Sequence, residues 1–386
     1  MILCRTPKGG GWVIWPVHSA APLLFLILAL ALTAETGFAQ HVGSAKSSSS
    51  AESLTASLHG LNARHRLAQP AEQAEALDQL LTVAATRHQL LAALIEDNPG
   101  EVLRVAVPAG ARAALPPAVQ PYIEEEVEVD GVLEVLHEDR AKGSRYLYFL
   151  KVKKERFSLH FAADPPALQT GSRVRVRGVR VNLALALASG STSVSALSAA
   201  LPNTYGPQPT AVILVNFQDK PTNQPYTLAY AQGVVFSTTS NFYRENSFQQ
   251  TWLTGDVYGW YTIPLNSTVC NPSSLASYAQ QAATAAGVNL SAYTRYVFAF
   301  SSNACSWWGL GTVGGRPSMA WINGSFQLPV VGHEMGHSFG LYHSHALECG
   351  TSTLGTNCTA IEYGDTLDIM GSSSGDFNAF QKEWLG

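Results

Sequence analysis

Charge is scarce in this chain of 386 residues: Asp, Glu, Lys and Arg together make up 13% of it, and the formal net charge is only −4. Such a balance gives no reason to expect a nucleic-acid partner or attraction to an anionic membrane surface. Long apolar runs are missing after the N-terminus, so no later segment reaches the roughly 20 residues that a spanning helix needs. Cysteine is sparse, and none of the five sits in a Cys-x-x-Cys pair. That absence argues against a cysteine metal site. No internal repeat is found. What remains is a chain of ordinary apolar content, long enough for about two domains and a sizeable core.

The N-terminus reads as an export signal. Arg5 and Lys8 precede an apolar run from Ala20 to Leu32, and the small residues Gly37 and Ala39 follow. Cleavage is expected after Ala39, making residues 1–39 a signal peptide rather than an anchor. The protein is then secreted, extracellular or periplasmic, with no stable membrane span. Cys4 leaves with the signal, and Cys270, Cys305, Cys349 and Cys358 remain. An even number in an exported chain suggests disulfides. Sequence alone does not set the pairing. Cys270 with Cys305 and Cys349 with Cys358 is the expectation, because each pair closes a local loop.

Residues 40–53 are rich in Ser and read as a flexible linker. Residues 54–120 form a helical leader: Leu77, Leu80, Leu81, Leu90, Leu91 and Leu94 recur at helical spacing, and Asn98-Pro99-Gly100 stops the pattern. Over 121–188 the pattern turns to short alternating strands, which predicts a small antiparallel β barrel or sandwich of OB type. The Arg173-Val174-Arg175-Val176-Arg177 segment would suit a nucleic-acid face, but no stacking aromatics are interleaved with it. A solvated strand face is the preferred reading. Gly-, Ser- and Pro-rich residues 189–208 mark a linker. Residues 209–386 mix strands (Ala211–Val215, Trp252–Ile263, Tyr296–Phe300) with helical stretches (Leu228–Glu245, Ser274–Ala286), so the fold class is α+β.

Four of the chain's eleven His residues lie between positions 333 and 345. On a helix, His333 and His337 share a face and point at one ion. Gly340 suits the left-handed turn that ends a helix and would bring His343 round as a third ligand. Imidazole ligands in an open site favour zinc, one Zn2+ ion. Glu334 follows the first ligand directly and would stand beside the ion as general base to its water. A bare His-Glu-x-x-His occurs in unrelated helices, but the added Gly and third His at their offsets make coincidence improbable.

This motif, with Met370 downstream, resembles the metzincin clan of zinc endopeptidases, in which a Met-containing turn lies beneath the metal. The Glu362-Tyr363-Gly364-Asp365 segment before Met370-Gly371 is most similar to the gametolysin family. Asp219 and the stretch from Leu253 to Tyr261 add to that likeness, which covers about residues 208–386. It implies a metzincin-type catalytic domain that hydrolyses protein or peptide substrates, without nucleic acid. Residues 60–200 resemble, more weakly, the leader regions attached to such enzymes in bacteria.

Some features depart from the pattern. Ser372 stands where some metzincins carry a Tyr, and no Cys between Cys4 and Cys270 is available to silence a proenzyme. The family often continues past such a point, so a domain cut short at Gly386 is expected. Ser344, Asp365 and Asp368 are candidates to orient the ligands, and His345 is a weak rival ligand. Ala320, Trp321, Ile322 and Asn323 lie where metzincins have the edge strand that pairs with substrate. His59, His65, His88, His137 and His160 receive no role. Two rivals stand beside the secreted endopeptidase. One is a zinc-stabilised binding or adhesion protein without turnover. The other is a metal-dependent hydrolase of other amides or esters.

Overall fold

The computed structural model describes residues 36–140, 143–200 and 203–385. Most of the expected signal peptide, residues 1–35, lies outside them. Helix α1 (Thr36–Leu67) is followed by α2 (Pro70–Leu94), which carries all six periodic Leu residues, and Pro70 opens α2 at the position where a missing N–H costs nothing. Residues 40–53, expected as a flexible linker, are instead part of α1; Ser is a tolerable helix residue, and Ala51 and Leu58 further along α1 are fully buried. Asn98 does more than stop a helix. Its side chain accepts from Glu101 N and so caps α3 (Pro99–Val105), after which comes the short α4 (Ala109–Ala113).

Strand β1 (Glu125–Arg140) is 16 residues long, and its length decides the architecture. Its first half pairs with β4 (Arg173–Val181) and its second half with β2 (Ser144–Val152), to which β3 (Glu155–Phe161) is joined. β5 (Ala184–Leu187), the single-turn α5 (Gly190–Ser193) and β6 (Val194–Ser198) complete this part. The strands curl round their own core of Leu133, Val135, Leu150, Phe157, Val174 and Leu185. In β4 the Val residues are buried, and Arg173, Arg175 and Arg177 are exposed. Arg175 and Arg177 pair with Asp130 and Glu128 of β1, so that face is an ion-pair ladder rather than a free cationic surface.

The small antiparallel β barrel or sandwich expected for 121–188 is corrected here to part of a larger mixed sheet. The end of β1 runs on and pairs with a strand of the C-terminal region, giving one mixed sheet of 11 strands. That region adds β7 (Gly206–Phe217), α6 (Leu228–Gly233), a π-helical turn at Val234–Thr239, α7 (Ser240–Asn246) and β8 (Thr251–Ile263). Next come α8 (Pro272–Ala285), β9 (Arg295–Phe300), β10 (Trp307–Thr312), β11 (Ser318–Asn323) and α9 (Leu328–Ser338). A hairpin of β12 (Ala346–Glu348) and β13 (Thr359–Ile361) precedes α10 (Ala379–Leu385). Residues 44–386 form one compact unit. Period-two alternation splits each central strand between two cores. Val212 and Leu214 face α9, whereas Ile213 and Val215 face α8. Cys270 is bonded to Cys305 and Cys349 to Cys358, the pairing expected from local loops. Among the described residues no helix is long and apolar enough to cross a membrane.

Arg87 of α2 is fully buried beneath the start of β1. Its guanidinium makes two bonds to Glu124, at 2.5 and 2.8 Å, and one of 2.7 Å to Val105 O. Removing the carboxylate strands a buried charge, which typically costs about 3–5 kcal/mol. Glu124→Ala is therefore expected to lower the stability to urea by that amount. A cost under ~1 kcal/mol, the scale of an exposed pair, would show that the pair does not anchor β1.

Candidate metal centre

Helix α9 presents His333 and His337 one turn apart, buried against the sheet. The helix ends in paired hydrogen bonds, Gly340 N to His337 O (2.7 Å) and Leu341 N to Gly336 O (3.1 Å), the Schellman arrangement. Gly340 has a φ of +97°, and a Cβ there would come within 2.4 Å of Gln169 Nε2. That turn carries the chain back so that His343 faces the helix. Met370 is fully buried below; a Cβ on Gly336 would lie 2.4 Å from its sulfur. The small residue on α9 and the thioether thus fit each other.

Each ring is oriented from its outer nitrogen. His333 Nδ1 donates to Ile369 O at 2.7 Å, His337 Nδ1 to Leu341 O at 2.9 Å, and His343 Nδ1 to Glu362 Oε1. A carbonyl or carboxylate oxygen only accepts, so these partners place the proton on Nδ1 and leave a lone pair on each Nε2. The Nε2 atoms then converge: those of His333 and His343 are 3.1 Å apart. Two acceptors at that distance repel unless a cation lies between them. Four donors around zinc at 2.0–2.1 Å would stand about 3.3 Å from one another. The donor set therefore fits such an ion.

A fourth donor enters from an unexpected direction. Asp139, on β1, has Oδ1 2.8 Å from His343 Nε2 and Oδ2 3.5 Å from the Nε2 atoms of both His333 and His337. Tyr363 donates to Asp139 Oδ1 at 2.8 Å. His137 lies two residues earlier, on the same face of β1, with Nδ1 2.9 Å from His337 Nε2. It is fully buried. Its expected lack of any role is corrected by this position. The sequence hint was available: His137 and Asp139 share a strand face by period two. Only the pairing of β1 with β10 brings that face beneath α9.

Glu334 is buried on α9, within 4.8 Å of Asp139 and His333 by its ligand atom. Its Oε2 has no hydrogen-bond partner among the described residues. Burial, and after it the charge of Asp139, pushes its carboxyl well above the ordinary range. Room for it comes from β10, where a Cβ on Gly309 would sit 1.7 Å from Glu334 Oε1. Gly is depleted in strands unless something must approach closely, which is why no strand is expected at 307–312 from alternation.

Other candidates fall elsewhere. Ala320, Trp321, Ile322 and Asn323 belong to β11, which lies between β9 and β10, so they are not an edge. Trp321 is a core residue whose Nε1 donates to Pro272 O. Asp368 accepts from Met370 N and Asn378 N, both at 2.6 Å. Asp365 and Ser344 also bond Asn378, so all three brace the Met370 loop instead of touching a ligand ring. The carboxylate that orients one of the three imidazoles, His343, is Glu362, which also accepts from Ser144 at 2.8 Å and pairs with His345. Hydrogen bonding to His343, partly offset by burial, holds Glu362 down to about 2. Partners of this kind are commonly worth about 10–100-fold in metal affinity. Glu362→Gln is expected to weaken zinc binding by that factor in a chelator competition; unchanged affinity would remove Glu362 from the centre.

Comparison with known proteins bears on the same region. The gametolysin peptidase M11 family matches residues 232–386. No curated protein matches the chain. A solved structure described as "Structure of a chaperone-substrate complex" is 14% identical, with a TM-score of 0.29, and the match covers 47% of this chain and 32% of that one. The chain thus spans about a third of that structure's length, and a likeness so slight bears on neither fold nor function. The family implies a metal, typically zinc, and a metallopeptidase acting on proteins or peptides. The match over residues 232–386 is to the family that the His333 motif and the Met370 segment resemble, and it supports a gametolysin-like metallopeptidase reading of that region.

Proposed function

We propose that this chain is a secreted zinc-dependent endopeptidase of metzincin type, in which His333, His337 and His343 hold the ion and Glu334 moves the proton. One observation carries the reading: three imidazoles with their Nδ1 atoms tied down point their Nε2 lone pairs at one spot. Zinc bound there would acidify a water and polarise a scissile carbonyl. The two disulfides accord with an extracellular protein.

The chain's own groups supply the rest. Glu334 Oε2, buried and unpartnered, accepts a proton from the attacking water. The burial that raises its pKa lets it keep that proton until the leaving amine takes it. A purely structural metal site has no use for such a carboxyl, which disfavours the adhesion alternative. Tyr363 adds a donor. Its hydroxyl already bonds an oxygen beside His343 Nε2, the place where a substrate's carbonyl oxygen would gather charge. The Tyr that some metzincins place after their Met is thus matched by one before Met370, since Ser372 Oγ faces Asp365 O instead.

Casein digestion by the processed protein is expected to stop on adding a chelator and return with zinc. Glu334→Gln should keep one zinc per chain and lose turnover; digestion at the parent rate by that variant would refute the general-base role. Tyr363→Phe should lower kcat by about 100-fold, the usual loss for one such donor, while KM changes little. An unchanged kcat would leave Tyr363 a structural residue only.

A further inference from the structure

Asp139 and His137 come from the N-terminal region, 200 residues before His337 in the case of His137, and outside the stretch that the gametolysin family matches. The backbone between them is not loosely placed. Residues Leu136 to Arg140 run antiparallel along β10, with His137 opposite Gly311 and Asp139 opposite Gly309. The other side of β10 is taken by β11. Were β1 absent, β10 would be a sheet edge, the kind of backbone to which an extended peptide adds by main-chain hydrogen bonds. β1 therefore lies where such a peptide would lie. The side chains of His137 and Asp139 face the three imidazoles, while Leu136 turns to the opposite core with Trp307 and Trp321.

The side chains complete the picture. Asp139 places a carboxylate oxygen 2.8–3.5 Å from all three Nε2 atoms, and its Oδ2 is buried with no hydrogen-bond donor among the described residues. Asp139, His137, His337 and His343 offer ligand atoms all within 4.8 Å of one another. Further contacts hold the segment down: Tyr363 to Asp139, Ser144 to Glu362, and Gln169 Nε2 to Gly340 O at the turn after α9. A three-donor site leaves a coordination position open for chemistry, whereas a fourth protein donor closes it.

We propose that Asp139 is a fourth protein ligand of the metal, and that strand β1 is a built-in peptide lying on β10, so that the full-length chain is latent until residues 136–140 leave that edge. The inference rests on the metallopeptidase reading above and names the regulation of the same site. No Cys takes part, in keeping with the absence of Cys between positions 4 and 270.

The test loads the full-length chain with cobalt(II) and follows its visible spectrum on adding acetohydroxamate, then the rate at which 1,10-phenanthroline strips the ion. In the parent the spectrum should not respond and stripping should be slow. In Asp139→Ala, and in the nearly isosteric Asp139→Asn if the alanine variant fails to fold, acetohydroxamate should shift the spectrum. Stripping in these variants should be about tenfold faster or more, the usual reach of a change at a metal site. Casein digestion should rise in these variants without any cut in the chain. A parent spectrum that shifts as readily as the variants' would overturn the proposal and leave the peptidase reading intact. Cobalt binding that survives His337→Ala would overturn both.

Discussion

The site depends on where three protons sit. Each of the three converging imidazoles is tied by its Nδ1–H to an oxygen of the scaffold: Ile369 O, Leu341 O and the Glu362 carboxylate. Those three bonds decide the tautomers, and the tautomers decide that the Nε2 atoms meet as lone pairs. The rest of the C-terminal region serves this arrangement. Met370 braces α9 at Gly336, Asp368 ties Met370 N to Asn378 N, and the helix-ending turn at Gly340 aims His343. Buried Arg295 adds a clamp from β9, bonding Ser338 O at the end of α9 at 2.7 Å and lying over the Phe339 ring. Burial pushes its guanidinium down to about 9.

A sheet strand makes room for the chemistry. Gly309 and Gly311 of β10 lack the Cβ atoms that would strike Glu334 and His337. The same bare stretch leaves space for His137 and Asp139 on the neighbouring strand. One feature, two glycines at alternate positions, thus accommodates both the buried Glu334 carboxyl and the strand paired beside it. In an apolar enclosure a pair of carboxylates does not stay doubly charged without help. Burial, and after it the charge of Asp139, raises the proton affinity of Glu334. Asp139 also loses solvent, but the imidazoles round it keep its carboxyl well below the usual range.

The N-terminal region is physically continuous with the centre it covers. Glu124 locks the start of β1 onto Arg87, β4 and β2 flank its two halves, and its last residues reach the three imidazoles. Rigidity introduced far from the site is passed along a single strand. Tyr146 and Tyr342 extend the contact, with Tyr146 4.1 Å from the His137 ring and 5.7 Å from Tyr342.

The clustering of His333, Glu334, His337 and His343 was legible from sequence because its geometry is local. His333, Glu334 and His337 stand at fixed offsets on one helix, and the turn to His343 takes only one glycine, so helical period and φ preference suffice. The helices of the leader and the apolar strands β7, β8 and β9 were legible for the same reason, since each is written in its own periodicity. Long-range pairing was not. β10 is obscured by glycines placed for a side chain on another element, and β11 is interior because β10 exists. Glu362, His137 and Asp139 reach the site by contacts across 19, 200 and over 190 residues. A local pattern says which side chains a strand shows to one face. Which helix that face meets depends on how the strands are ordered in the sheet, and only the packed tertiary structure decides it.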